Sequence, residues 1–193
     1  RGSEGRDEAE HAIAAIAMHR ATGTIPTLVA LVESDRDEEL RGHAAFWLGM
    51  KGGREGLRVL SRTIDSTPSS ELREQAIAGI AQDESDASVE LLLSLAKGHR
   101  TPDAREHALF WLAEKAGEKV AGELEAATDD PDEEVREMAV FSISRLPSDQ
   151  SVPKLIELAR SHRSPGVREQ AVFWLGQSAD PRAFDFIEEI LTK

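Results

Sequence analysis

A chain of 193 residues, 40% of them hydrophobic, is long enough to bury a substantial apolar interior as one domain or one repeat array, and its composition excludes a disordered chain. With 36 Asp and Glu against 23 Lys and Arg, the net charge of −13 gives a mean field that repels phosphate backbones and anionic headgroups, which argues against nucleic-acid and membrane-surface roles. The absence of cysteine excludes disulfides and thiolate metal sites and leaves the compartment open, while no apolar run reaches the ~18 residues that a membrane span requires.

In chain order, the first amphipathic segment keeps Ala9, Ala12 and Ile16 in the positions that later copies repeat, and "IPTLVALVES" follows it. The second copy carries Arg41, Ala44 and Leu48, followed by "REGLRVLSRTID"; the third carries Arg73, Ala76 and Ile80, followed by "SVELLLSLAKG". Arg105, Ala108 and Leu112 precede "KVAGELEAAT"; Arg136, Ala139 and Ile143 precede "SVPKLIELARS"; Arg168, Ala171 and Leu175 precede "PRAFDFIEEILTK". The Arg positions recur every 31 or 32 residues, a period that signals a solenoid. Both segments of each copy place apolar residues at i, i+3, i+4 and i+7, so each copy is expected to be helix, short turn, helix.

Start and stop signals agree with this division. Thr24 before Ile25-Pro26, Ser151 before Val152-Pro153 and Asp180 before Pro181 are expected to cap the second helices of their copies. Thr67-Pro68, Thr101-Pro102, Asp130-Pro131 and Ser164-Pro165 break the chain before Arg-bearing helices. The acidic runs "ESDRDEE" and "DDPDEE" lack the spacing of a calcium loop and suit helix starts, where the helix dipole favours negative charge.

The stretches "EEVREMAVFSISRL" and "PGVREQAVFWLGQSADPRAFDFIEEIL" resemble HEAT repeats, especially the short bacterial type also seen in phycobilisome lyase-like proteins. The resemblance covers the whole chain. It implies an all-α, right-handed α-solenoid of about six helical hairpins over residues 1–193 as a single domain, read as part of a longer protein. It also implies that the Arg-bearing helices line the concave face and that each Arg bonds near an Asp of the preceding turn. Asp35 and Asp130 stand six residues before their Arg, whereas Thr67, His99 and His162 hold that place elsewhere, so the ladder is expected to be interrupted. Because the chain starts on an Arg-type helix, Ala12, Ile13, Ile16 and Ala17 are expected to need cover from upstream sequence or a second chain.

The tripeptide Phe-Trp-Leu occurs three times, at 46–48, 110–112 and 173–175. At ~100° per residue, with the repeat Ala at zero, the Leu lies near ~40°, in the core direction. The Trp position lies near ~300°, facing a neighbouring repeat, and reads Ala15, Trp47, Gly79, Trp111, Ser142, Trp174. Large beside small fits a spacer between helices. The Phe position lies near ~200°, almost opposite the core. There Phe46, Phe110, Phe141 and Phe173 are expected to form an exposed stripe, with Glu106, Glu137 and Glu169 one turn before the last three. His43 and His107 lie beside the stripe, near ~260°.

Motifs for catalysis are missing. There is no phosphate loop, no His-Glu-x-x-His sequence and no cysteine nucleophile, and the scattered Ser, His and Asp nominate no triad. Deoxyhypusine hydroxylase is a HEAT-like metalloenzyme with repeated His-Glu pairs; this chain has Glu106-His107 in the reverse order and no His-Glu pair, so no metal residue carries over. The HEAT-like DNA glycosylases resemble basic clamps, which the net charge opposes. The expectation is a non-enzymatic scaffold, without cofactor, metal or nucleic acid, that binds a basic or amphipathic protein or peptide segment. The alternative is an enzyme or enzyme accessory, either pigment-handling along the Phe groove or metal-dependent through His11 and His43.

Overall fold

A computed structural model of the chain describes residues 2–19, 21–34 and 36–192, and the side chains of residues 8–19, 21–34, 36–115 and 119–192 among them. Eleven α-helices account for almost all of the described residues: α1 Gly2–Met18, α2 Thr24–Val32, α3 Glu38–Ser66, α4 Ser70–Gln82, α5 Asp86–Gly98, α6 Pro102–Ala116, α7 Ala121–Ala127, α8 Glu133–Ser144, α9 Ser148–Ser161, α10 Pro165–Gly176 and α11 Pro181–Thr192. They form six hairpins in the expected register. The second hairpin is a single element, α3, broken at Gly53, whose φ of 51° and ψ of −139° a side chain would resist. The fourth hairpin turns through a short 3₁₀ segment, Gly117–Val120. The chain is thus all-α, built of the stacked hairpins of an α-solenoid. None of its described helices is long and apolar enough to cross a membrane.

Two compact units divide the chain, Arg1–Ser94 and Leu95–Lys193, with the boundary inside α5. In both, the repeat positions Ala44, Leu48, Ala76, Ile80, Ala108, Leu112, Ala139, Ile143, Ala171 and Leu175 are buried. The residue after the repeat Ala is buried too in four copies, as Ala45, Ile77, Leu109 and Val140. The apolar arc therefore runs from about 0° to about 100° on each helix, wider than the Ala–Leu pair alone indicates.

The Arg motif works differently from the expected Asp ladder. Each guanidinium donates to the backbone carbonyl six residues earlier: Arg73 to Thr67 at 2.7 Å, Arg105 to His99 at 2.7 Å, Arg136 to Asp130 at 2.8 Å and Arg168 to His162 at 2.7 Å. The side chain at that position instead accepts from the amide two residues on, through Thr67 Oγ1, His99 Nδ1, Asp130 Oδ1 or His162 Nδ1. Threonine, histidine and aspartate all supply one acceptor at the right height, so the ladder is continuous across all four turns. Arg41 reaches the Val32 carbonyl at 3.0 Å, and Asp35 lies outside the described residues.

Asp130 does pair with an arginine, but with that of the preceding repeat. Arg105 Nε and Nη2 meet its two carboxylate oxygens at 2.8 Å each, and both side chains are 11% exposed. Burial pushes the Asp130 carboxyl up, but the Arg105 hydrogen bonds, the Asp132 amide and the charges of Arg105 and Arg136 together hold it below the usual range.

Two expected caps differ. Thr24 does not cap α2; its hydroxyl donates back to His19 O at 2.8 Å, and Gly23 stands at the cap position. Helix α9 begins at Ser148, so Ser151 is buried within it and Pro153 is internal. Asp180 does receive the Arg182 amide at 2.9 Å, and Asp37 and Asp132 cap α3 and α8 from within the acidic runs.

In the first unit, α3 and α4 touch backbone to backbone. A Cβ on Gly49 would lie 1.9 Å from the Gly79 carbonyl oxygen, and one on Gly79 would lie 2.6 Å from that of Ala45. Gly79 thus answers a main-chain contact, beyond the small-beside-large spacing read from the Trp position. At the start of the chain, Ile13 and Ala17 are already buried within the first unit, whereas Ala12 is exposed and Ile16 half-buried beside a cavity of about 370 Å³.

Candidate functional site

The first helices of the last three hairpins, α6, α8 and α10, lie side by side in the second unit. Their Phe and Trp residues form one connected aromatic array. Phe110 and Phe141 stack with ring centroids 6.4 Å apart and planes at 4°. Phe141 continues to Trp174 at 5.2 Å and 56°. Within a helix, Phe110–Trp111 and Phe173–Trp174 meet edge to face at 5.2 and 5.0 Å. Such pairs add about 0.5–1.5 kcal/mol each beyond area burial, so the array is ordered before anything binds.

The two aromatics share one job more than the helical wheel suggested. Phe110 and Phe141 are half-buried by each other, Trp111 and Trp174 are also half-buried, and Phe173 is the exposed member at 54%. Trp174 does pack between repeats, but its partner is Phe141, so it belongs to the face as well as to the stack.

Carboxylates frame this array. Glu106, Glu134 and Glu137 border a cavity of about 360 Å³ whose floor includes Phe141 and Trp174. Glu133, Glu137 and Glu169 border an adjoining cavity of about 350 Å³ beside Phe173. Glu137 and Gln170 line both. Glu106, Glu137 and Glu169 were expected here; Glu133 and Glu134 were not, because an acidic first turn already has a sufficient reason in the helix dipole. That same dipole helps α8 to tolerate four like charges in Asp132, Glu133, Glu134 and Glu137.

Elsewhere in the unit, acids meet bases of a neighbouring hairpin: Glu123 with Lys97, Glu125 with Lys154, Glu114 with Arg145 and Glu189 with Arg160. On the aromatic face no Lys or Arg pairs with Glu106, Glu133, Glu134, Glu137 or Glu169 among the described residues. The imbalance is felt at Glu106. Burial raises its carboxyl above the ordinary range, His107 opposes the shift, and Glu134, Asp103 and Asp132 add to it. A larger cavity, about 580 Å³, lies against α7 and α9, but its charges answer one another through Lys154–Glu125 and Arg163–Asp129.

In the first unit the face is sparser. Phe46 and Trp47 meet edge to face at 5.9 Å, but the corresponding Phe positions of α1 and α4 are Ala14 and Ala78. Among the described residues, the group that could hold a metal ion joins His43 to Glu10 and Glu39 and does not include His11. His43 Nε2 lies 3.5 Å from Glu10 Oε1, and the ligand atoms of the three residues all lie within 4.8 Å of one another. A divalent cation could be held there by one nitrogen and two carboxylate oxygens, a donor set suited to several transition metals. His107 lies on the helix that carries Glu106 and acts on it electrostatically.

Comparison with solved structures places this architecture among known proteins. YibA of Escherichia coli superposes with a TM-score of 0.59 at 19% identity, covering 94% of this chain and 67% of that one. The complex of CpcE and CpcF of phycocyanin lyase from Nostoc sp. PCC7120 gives 0.58 at 21% identity, with 82% and 100% covered. Human deoxyhypusine hydroxylase in complex with glycerol gives 0.53 at 20% identity, with 98% and 70% covered. At these identities the likeness is one of fold. No curated protein matches the sequence. The sequence pattern of HEAT repeats matches residues 3–81, 89–161 and 120–193, so the chain belongs to the HEAT-repeat family.

Proposed function

We propose that the chain is a non-enzymatic binding scaffold and that the aromatic, acidic face of α6, α8 and α10 takes a basic or amphipathic polypeptide segment. The observation that carries this reading is the set of five carboxylates without a Lys or Arg partner among the described residues, around a connected aromatic array. A partner bearing Lys or Arg would relieve the mutual repulsion of these groups, and its apolar side chains would find ring surface between them. The HEAT-repeat fold supports a role in binding protein partners, since stacked hairpins offer an extended surface.

Fluorescence anisotropy with a labelled basic amphipathic peptide tests the reading. Binding that weakens as salt is raised, and is lost when Phe110, Phe141 and Phe173 are all replaced by Ser with helicity retained, is the expected result. Unchanged binding by that triple variant would overturn it. The second reading, metal-dependent chemistry, has the Glu10–Glu39–His43 group in its favour. Stoichiometric metal retained after dialysis, and lost in His43→Ala, would support that reading instead.

A further inference from the structure

We infer that the two adjoining cavities are guanidinium pockets, and that the bound segment offers them two arginines in an extended Arg-x-Arg arrangement. This rests on the basic-segment reading above and specifies which cation and what spacing the face selects.

The choice of arginine follows from the walls. The first cavity has carboxylates from two helices, Glu106 on α6 and Glu134 with Glu137 on α8, above the rings of Phe141 and Trp174. A guanidinium spreads five N–H donors over one plane, so it can reach acids on both helices while its face lies on a ring. Lysine presents a compact, strongly hydrated ammonium that gains less from ring contact and must shed more water to enter. The two rings that line this cavity, Phe141 and Trp174, lie 5.2 Å apart with planes at 56°, so a flat cation entering it meets ring surface on more than one side. The second cavity repeats the chemistry with Glu133, Glu137 and Glu169 beside Phe173, the most exposed ring of the array.

The spacing follows from the shared wall. The cavities of about 360 and 350 Å³ have Glu137 and Gln170 in common, so they adjoin across a single side-chain wall. Alternate side chains of an extended chain point the same way and lie ~7 Å apart. Adjacent residues point to opposite sides, so an Arg-Arg pair would fill one pocket and turn its second side chain away.

The test uses the full chain and short acetylated fluorescent peptides on a Gly-Ser background, carrying Arg-x-Arg, Lys-x-Lys, adjacent Arg-Arg or citrulline-x-citrulline. Arg-x-Arg is expected to bind best, Lys-x-Lys and Arg-Arg about tenfold more weakly, and the citrulline peptide not at all. Glu134→Gln in the first pocket and Glu169→Gln in the second are each expected to cost Arg-x-Arg about tenfold and to narrow its lead over Lys-x-Lys. Equal affinity for Arg-x-Arg and Lys-x-Lys overturns guanidinium selection, and equal affinity for Arg-x-Arg and Arg-Arg overturns the spacing. Either result leaves the basic-segment reading standing. Failure of every basic peptide to bind would overturn both.

Discussion

The two units use the same hairpin for opposite ends. In Arg1–Ser94 the repeats close on one another: glycines let α3 and α4 meet through backbone, and Ala14 and Ala78 stand where the other unit has rings. In Leu95–Lys193 the helices keep large residues at those positions, the rings stack across hairpins, and the acids around them have no Lys or Arg partner among the described residues. One repeat grammar therefore carries a backbone-to-backbone contact in the first unit and a stacked aromatic array in the second. The difference lies in a few side chains per helix, because the buried Ala and Leu or Ile positions are common to both units.

Five substitutions press on that contrast, from the largest effect to the smallest. Gly49→Ala drives a methyl into the Gly79 carbonyl and is expected to cost about 3 kcal/mol or more, read by thermal denaturation; a neutral result would mean that the close backbone contact does not exist. Asp130→Asn removes the charge and one of the two acceptor oxygens of a largely desolvated bidentate pair and is expected to cost about 2–3 kcal/mol at neutral pH. The Asp130 carboxyl is depressed in the folded state, so its contribution is complete above the ordinary carboxylate range and lost as pH falls through the lowered value. Urea denaturation in acid should accordingly bring wild type and Asp130→Asn together.

Phe141→Ala opens the centre of the array and is expected to cost about 2 kcal/mol of stability and most of the peptide affinity. Phe46→Ala, its counterpart in the first unit, should leave affinity unchanged, and matching losses in the two variants would erase the distinction between the units. Glu106→Gln has the smallest effect on the fold and the opposite sign. The raised carboxyl means that the charged form is disfavoured in the folded chain above that pKa, so removing the charge is expected to raise the melting temperature by about a degree at neutral pH. The same substitution should weaken binding of a basic peptide, and wild-type binding should fade as acid protonates Glu106. A variant that is more stable and binds less is the signature of a group held for a ligand.

Much of this architecture is legible in the amino-acid order alone. The period, the hairpin unit and the buried Ala and Leu or Ile positions follow from spacing, because a core position tolerates few residue types. The turn before each Arg helix was harder to read. Its requirement is for one hydrogen-bond acceptor, which Thr67, His99, Asp130 and His162 meet with three chemistries, so a search for Asp finds an interrupted pattern where the hydrogen bonds are continuous. The candidate face was legible in Phe110, Phe141, Phe173, Glu106, Glu137 and Glu169, all set by helical phase. Trp174 was assigned to spacing alone and Glu133 and Glu134 to helix starts, since each had an adequate local reason. What sets them apart is pairing across hairpins, which depends on where neighbouring helices place their bases.

The contact between Gly49 and Gly79 also bears on how such a chain changes over generations. A pair of residues whose neighbours are main-chain atoms has no conservative substitute, since even the smallest side chain collides. The rings of the second unit meet other rings, which can shift, so exchanges there are expected to cost the fold less. A change at the glycine pair must be answered by the backbone, whereas a change among the rings can be answered by a neighbouring side chain.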